Sequence, residues 1–204
     1  MAKIIVLDCD GVLLNYNRAY PKVWEAAFGV KLELKNPGHF HAFNEYDCLF
    51  ESEEQKQQFY AAFTDEHWAD MPVLEDAKAA CDQLVEMGYE LVCVTSMPHE
   101  FLEARQRNFV LHDLPIARTF AVGRDKLKDT YNPKHQQIIE LAPVAFVDDY
   151  VVNFWGLEGT GIHKALIDRL QPDSPNADRH IADSLHPNLQ HFVDYWRGVK
   201  HGNG

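Results

Sequence analysis

Lys3-Ile4-Ile5-Val6-Leu7-Asp8-Cys9-Asp10-Gly11-Val12-Leu13 is the stretch from which the fold can be read. Its apolar, mostly β-branched start predicts a strand buried on both faces of a parallel sheet. The run ends in two carboxylates with one residue between them. A charged side chain beside the core is costly without compensation, so such a strand delivers its acids to a cleft. In open α/β folds that cleft lies at the carboxyl edge of the sheet. Gly11 then lets the backbone turn sharply with no Cβ facing a ligand. An ordinary acidic turn would look the same over this stretch alone, since Asp and Gly both form turns. The rest of the chain separates the two.

At 204 residues the chain fits one α/β domain with a small insert. Its composition, 46% hydrophobic and 25% charged, is that of a globular protein. A net charge of −12 argues against a nucleic-acid polymer as partner, because phosphate backbones are held by Lys and Arg. One small phosphorylated ligand remains compatible, with a divalent cation supplying local positive charge. Cys9, Cys48, Cys81 and Cys93 form no Cys-x-x-Cys pair and no zinc spacing, and read as buried or half-buried thiols of a reducing compartment. The N-terminus enters a strand with no small-residue cleavage site, and no apolar run approaches a membrane span. A cytoplasmic protein without membrane contact is expected.

Downstream of Leu14 the pattern turns helical. Arg18 to Phe28 has helical spacing, with Pro21 in an early turn and Gly29 as a stop. Asn36-Pro37-Gly38 is a turn signal. Ser52 with Gln55 predicts a capping box opening a helix to about Phe63. No buried strand is predicted over residues 15–70, which read as an inserted helical module holding 12 of the 24 aromatics. So small a unit needs bulky side chains for a core, and the same rings could line a pocket. From Met71 the rhythm is α/β. Helices are predicted from about Glu75 to Met87, from Pro98 to about Phe109, from Asn132-Pro133 through Leu141 and from Pro187 to about Trp196. Strands are predicted at Glu90–Val94, Thr119–Val122 and Pro143–Val147, with a weaker one at Ile162–Ile167. Residues 1–14 and 71–204 thus form a Rossmann-like parallel sheet flanked by helices, with strand ends converging on one edge. Three of those ends carry Asp8/Asp10, Thr95/Ser96 and Asp148/Asp149, and together they make a site.

Four carboxylates in one cleft repel unless a cation sits among them. Oxygen-only ligands point to Mg²⁺ rather than zinc. Beside such an ion a carboxylate stays ionised and can attack phosphorus. A second carboxyl can protonate the leaving oxygen and then deprotonate the attacking water. Hydroxyls, backbone N–H groups and a lysine can hold the phosphoryl oxygens.

The sequence resembles the haloacid dehalogenase (HAD) superfamily in its phosphohydrolase branch. Asp8-Cys9-Asp10-Gly11-Val12-Leu13 matches the Asp-x-Asp-Gly motif, Val94-Thr95-Ser96 the Thr/Ser motif and Val147-Asp148-Asp149 the acidic motif, in family order. The resemblance implies Asp8 as nucleophile and metal ligand. It implies Asp10 as general acid/base, with its backbone carbonyl on Mg²⁺. Thr95, helped by Ser96, would bind a phosphoryl oxygen. Asp149 would be the direct ligand of the acidic pair, and Asp148 would ligate through water or orient its neighbours. The 15–70 insert sits where small helical caps of the first type occur, which close over the site and choose the substrate. Lys126, Lys128 and Lys134 all lie where the motif lysine belongs. Lys134 is favoured because it begins a helix leading directly into the Asp148 strand.

His39-Phe40-His41 lacks a third ligand at a metal spacing and reads as cap surface or substrate contact. Arg18 reads as a substrate contact or as an ordinary exposed arginine. The leading expectation is a Mg²⁺-dependent phosphatase acting on a small phosphorylated metabolite. Its alternatives are a phosphomutase, a haloacid dehalogenase of the same fold and a non-catalytic HAD-like binding module. Asp10 speaks against dehalogenation, since halide leaves without a proton. A receiver-type phospho-acceptor domain would need neither Asp-x-Asp nor an insert.

Overall fold

The computed structural model describes residues 2–123 and 132–201. Lys126 and Lys128 lie outside them. The opening apolar run forms β1 (Lys3–Leu7), and the sheet grows from it on both sides. With β2 (Tyr89–Thr95), β3 (Arg118–Ala121), β4 (Ala145–Asp148), β5 (His163–Ile167) and β6 (Ser184–His186) it makes a six-stranded sheet of order β3-β2-β1-β4-β5-β6. Every pairing is parallel. Alternation along β1 sends Ile5 and Leu7 into one apolar cluster and Val6 into another on the opposite face. Burial on both faces is why the central strands read as continuous hydrophobic runs.

Eight α-helices stand among the described residues: α1 (Tyr16–Phe28), α2 (Ala42–Glu45), α3 (Glu53–Ala61), α4 (Asp65–Ala69), α5 (Ala77–Glu86), α6 (Leu102–Leu111), α7 (His135–Leu141) and α8 (Leu189–His201). Residues 15–70 carry four of them and no strand. Asn15 caps α1 by accepting from the Arg18 N–H, and Gly29 ends it at φ 68°. The aromatics of this segment make its core. Phe59 packs on Tyr20, Trp24 and Phe63 with centroids 4.5, 5.7 and 5.4 Å apart, and Phe63 leads on to Trp68 at 5.1 Å. The segment leaves and re-enters the core at one place. The Asn15 N–H donates to Pro72 O at 2.8 Å, the Leu74 N–H donates to Leu13 O at 2.9 Å, and Leu14 bridges Val73 in antiparallel fashion.

Three local expectations shift. Ser52 accepts from the Gln55 N–H, but Gln55 Oε1 accepts from the Glu51 N–H instead of closing a box on Ser52. The helix it opens stops at Ala61, and the stretch expected from Pro98 begins as a 3₁₀ turn, His99–Phe101. β6 was not expected: it pairs its three residues to the open edge of β5. All four cysteines are free and buried. No helix among the described residues is long and apolar enough to cross a membrane.

Candidate active site

Strand register brings the acids together. Leu7 faces Cys93 on one side and Val147 on the other, so Asp8 stands level with Asp148 and one step short of Thr95. The Asp8 N–H continues the ladder, donating to Val147 O at 2.8 Å. Carboxylate oxygens of Asp8, Asp148 and Asp149 lie within 4.8 Å of one another, the only such cluster of potential metal ligands among the described residues. Thr95 is buried at the end of β2, its Oγ1 accepting from the Met97 N–H at 3.3 Å. Ser96 follows it, half-buried.

Lys134 enters from below α7. Asn132 Oδ1 accepts from the Lys134 N–H at 2.9 Å, and Asn132 Nδ2 donates to the carbonyls of Asn153 and Trp155, so the turn is fixed to the segment after β4. The lysine is 1% exposed, and its Nζ stands 2.6 Å from both Asp8 Oδ1 and Asp148 Oδ2. Burial disfavours its charge, yet the two carboxylates outweigh burial and raise its pKa. Asp148 also receives the Tyr150 N–H and both of its oxygens face Asn153 Nδ2, so its acceptor sites are taken. By contrast, no described residue donates a hydrogen bond to the Asp149 carboxylate.

Crowding shows in the acidities. Burial first, then the charge of Asp148, pushes the Asp8 carboxyl up to about 7 against the opposing pull of Lys134. Burial and the charges of Asp8 and Asp148 raise Asp149 well above the carboxylate range. One ammonium cannot neutralise three carboxylates, and the oxygen-only donor set fits a hard divalent cation. Asp8 and Asp149 have the free oxygens to hold it. Gly11, at φ +84°, shapes the same corner: a Cβ there would come within 1.8 Å of Asp149 Oδ2. Arg169, at the end of β5, donates to Gly11 O at 2.8 Å and its charge acts on Asp149.

The Asp10 side chain stands outside this cluster. It is 28% exposed and meets Arg105 of α6, with Nη2 3.1 Å from Oδ1. Sequence reasoning missed Arg105. The available signal was the spacing of Arg105, Asn108 and His112, polar residues at i, i+3 and i+7 on one helical face. All three turn inward: Asn108 Nδ2 donates to the carbonyls of Ala69 and Met71, and His112 Nε2 also meets Met71 O. Among the described residues His39, Phe40 and His41 gather no metal-like set. Their backbone is bound from the loop after β5, where Asp173 accepts from the N–H groups of Phe40 (2.6 Å) and His41 (3.1 Å) and from Asn44 Nδ2 (2.7 Å). Arg18 is exposed on α1.

Solved structures share this fold across nearly the whole chain. A haloacid dehalogenase-like family protein from Streptococcus pneumoniae is 15% identical with TM-score 0.65, covering 96% of this chain and 98% of its own. A HAD-superfamily hydrolase of subfamily IA from Geobacter sulfurreducens is 17% identical with TM-score 0.64, covering 95% and 96%. The L-2-haloacid dehalogenase of Xanthobacter autotrophicus is 14% identical with TM-score 0.55, covering 97% and 99%. At these identities the likeness concerns the fold. No curated protein matches the sequence. The haloacid dehalogenase-like hydrolase family matches residues 2–153, three quarters of the chain with Asp8, Asp10, Asp148 and Asp149 among them, and the chain belongs to that family.

Proposed function

We propose that this hydrolase is a Mg²⁺-dependent phosphatase of small phosphorylated metabolites. In this proposal residues 1–14 and 71–204 are the catalytic core. Residues 15–70 are a cap of the first type that screens substrates, and the enzyme works in the cytoplasm. The observation that carries the reading is a second carboxylate, Asp10, standing two residues from Asp8 yet outside the buried cluster. Expelling an alkoxide requires a proton, and expelling a halide does not. A dehalogenase of this fold would have no use for that acid.

The residues divide the work as follows. Lys134 steadies the Asp8 carboxylate, one oxygen of which attacks phosphorus while the other would face the cation. As the new O–P bond forms and the ester P–O bond breaks, Asp10 gives its proton to the departing oxygen, releasing an alcohol. Asp10 then takes a proton from a water that attacks the aspartyl-phosphate, and inorganic phosphate leaves as the Asp8–P bond breaks. Thr95, Ser96 and Lys134 donate to the phosphoryl oxygens, where charge builds up. Asp8 and Asp149, with the Asp10 carbonyl, would hold Mg²⁺, and Asp148 fixes Lys134 and Asn153 behind them. The ion supplies the positive charge that lets two anions approach.

The test is phosphate release from a panel of phosphomonoesters with Mg²⁺, with Asp8→Asn as the blank. Wild type is expected to release phosphate from at least one ester at more than about 100 times the blank rate, a difference lost with chelator. Equal rates on every ester, activated aryl phosphates included, would reject the proposal. Halide release from a 2-haloacid would install the dehalogenase reading in its place.

A further inference from the structure

We propose that Arg105 is the positioning residue for Asp10, fixing the orientation of that carboxylate and tying it to the seating of the helical segment 15–70. The role rests on the phosphatase reading in one respect, namely that Asp10 transfers the proton.

Arg105 is 0% exposed, the largest fully buried side chain among the described residues. Its surroundings are soft and apolar. Both Nη atoms lie 3.7 Å from Met71 Sδ, the guanidinium sits 5.2 Å from the centroid of the Trp68 ring, and Cys9 and Cys93 are close enough to act on it. Its Nε has no hydrogen-bond partner. Packing alone would be served as well by a methionine, since apolar replacements of buried ions are commonly neutral or stabilising. Among the described residues the guanidinium makes one salt bridge, to Asp10 Oδ1. A fully buried charge aimed at a single oxygen of a half-exposed carboxylate is arranged for that carboxylate.

The contact is one-sided. With Oδ1 held, no described residue hydrogen-bonds Oδ2, which is left for the proton transfer. A proton-transferring group must come within about 2.6–3.2 Å of its target, so fixing the carboxylate in one rotamer is worth rate and not affinity. The same helix face carries the second half of the device. Asn108, three residues on, holds Ala69 and Met71, the backbone by which the segment 15–70 rejoins the core. Trp68, the last large residue of that segment, lies against the guanidinium. A shift of α4 over α6 therefore moves the partner of Asp10.

The experiment compares an alkyl phosphate with 4-nitrophenyl phosphate, whose leaving group departs without a proton. Wild type, Arg105→Met, Arg105→Gln, Asp10→Asn and the Asp10→Asn/Arg105→Met double variant are assayed with Mg²⁺, and folding is followed by thermal melting. Arg105→Met is expected to lower kcat/KM on the alkyl ester, which reports phosphoryl transfer to Asp8 with departure of the alcohol, by about 10- to 100-fold, part of what a general acid supplies. On the aryl ester the loss in kcat/KM should stay within about threefold, while kcat falls on any ester limited by hydrolysis of the shared aspartyl-phosphate, where Asp10 serves as base. The double variant should be no slower on the alkyl ester than Asp10→Asn alone, since one acts through the other. Equal kcat/KM losses on both esters, no kcat/KM loss on either, or multiplied losses in the double variant overturn the positioning role. Arg105→Gln decides the same question should Arg105→Met melt below the assay temperature. A wild type inert towards every ester overturns the phosphatase reading and this role with it, whereas an active wild type without the ester-dependent split overturns this role alone.

Discussion

Lys134→Met removes the cation that, among the described residues, is set between Asp8 and Asp148. Its Nζ is 2.6 Å from an oxygen of each, at 1% exposure, so solvent cannot take its place. Deleting one partner of a buried ion pair costs about 3–5 kcal/mol. Asp8 already holds its proton up to about 7, and by staying protonated it relieves part of that cost, so the lower end, about 3 kcal/mol, is expected. For a chain of this length 1 kcal/mol moves Tm by about 2–4 °C, which gives a fall of about 6–12 °C at neutral pH. Lys134 also lowers the Asp8 pKa, so its loss makes Asp8 hold the proton to still higher pH. Turnover should drop by at least about 100-fold, the usual consequence of losing a charged donor to the reacting group. Melting without metal and phosphate release with Mg²⁺ measure the two effects separately. A variant that melts with wild type and keeps its turnover, beside an inactive Lys126→Met or Lys128→Met, refutes the reasoning.

Gly11→Ala forces φ +84° on an L side chain, at about 1–2 kcal/mol, and drives a methyl into Asp149 Oδ2. Divalent-cation binding by calorimetry should weaken at least tenfold with the fold intact by circular dichroism; wild-type affinity counts against the proposed ligand corner. Asp173→Ala frees the Phe40 and His41 amides, whose hydrogen exchange should speed up about tenfold or more, the equivalent of one hydrogen bond to a charged acceptor. Burial works to raise the Asp173 pKa, but hydrogen bonds from Asn44, Phe40 and His41 prevail and lower it. Its contribution is thus present above the ordinary Asp value and lost as pH falls through the depressed one, and exchange at these amides that ignores acidification contradicts the assignment. His186 is 2% exposed, and burial, then the charges of His191 and His163, lower its pKa to about 4. The unfolded chain binds the extra proton between about pH 4 and 6.5, so stability rises with pH across that window, by about 1–3 kcal/mol from this group. Urea unfolding of His186→Phe should show a flatter rise there, and an unchanged slope would rule the histidine out.

Asp8, Thr95 and the Asp148-Asp149 pair are legible in the sequence because each closes an apolar run, and a parallel sheet leaves such ends nowhere to go but one edge. Which carboxylate is free for a ligand is not legible. That depends on Asn153 and the Tyr150 N–H occupying Asp148, contacts set by the turn after β4. β6 escapes notice because Ser184-Leu185-His186 has no pattern of its own; it forms because β5 leaves an edge to pair with. Lys164 blurs β5 in the same way, a lysine inside a strand that is buried only because its Nζ reaches Asp183 at 3.0 Å. Arg105 is hidden for a different reason. An arginine on a helix reads as solvent-facing, and only the tertiary position of α6 against Met71 and Trp68 makes it internal.

The paired backbones at Asn15–Pro72 and Leu14–Val73 give the molecule a stalk. Because departure and return are adjacent, the length of chain spliced between them adds only a slowly growing loop-closure entropy. The register of β1 with β2 and β4 is fixed below that stalk and does not depend on what stands above it. A foreign segment grafted between residues 14 and 73 would therefore inherit Asp8, Asp148 and Asp149 of the sheet edge unchanged while presenting them to a different molecule.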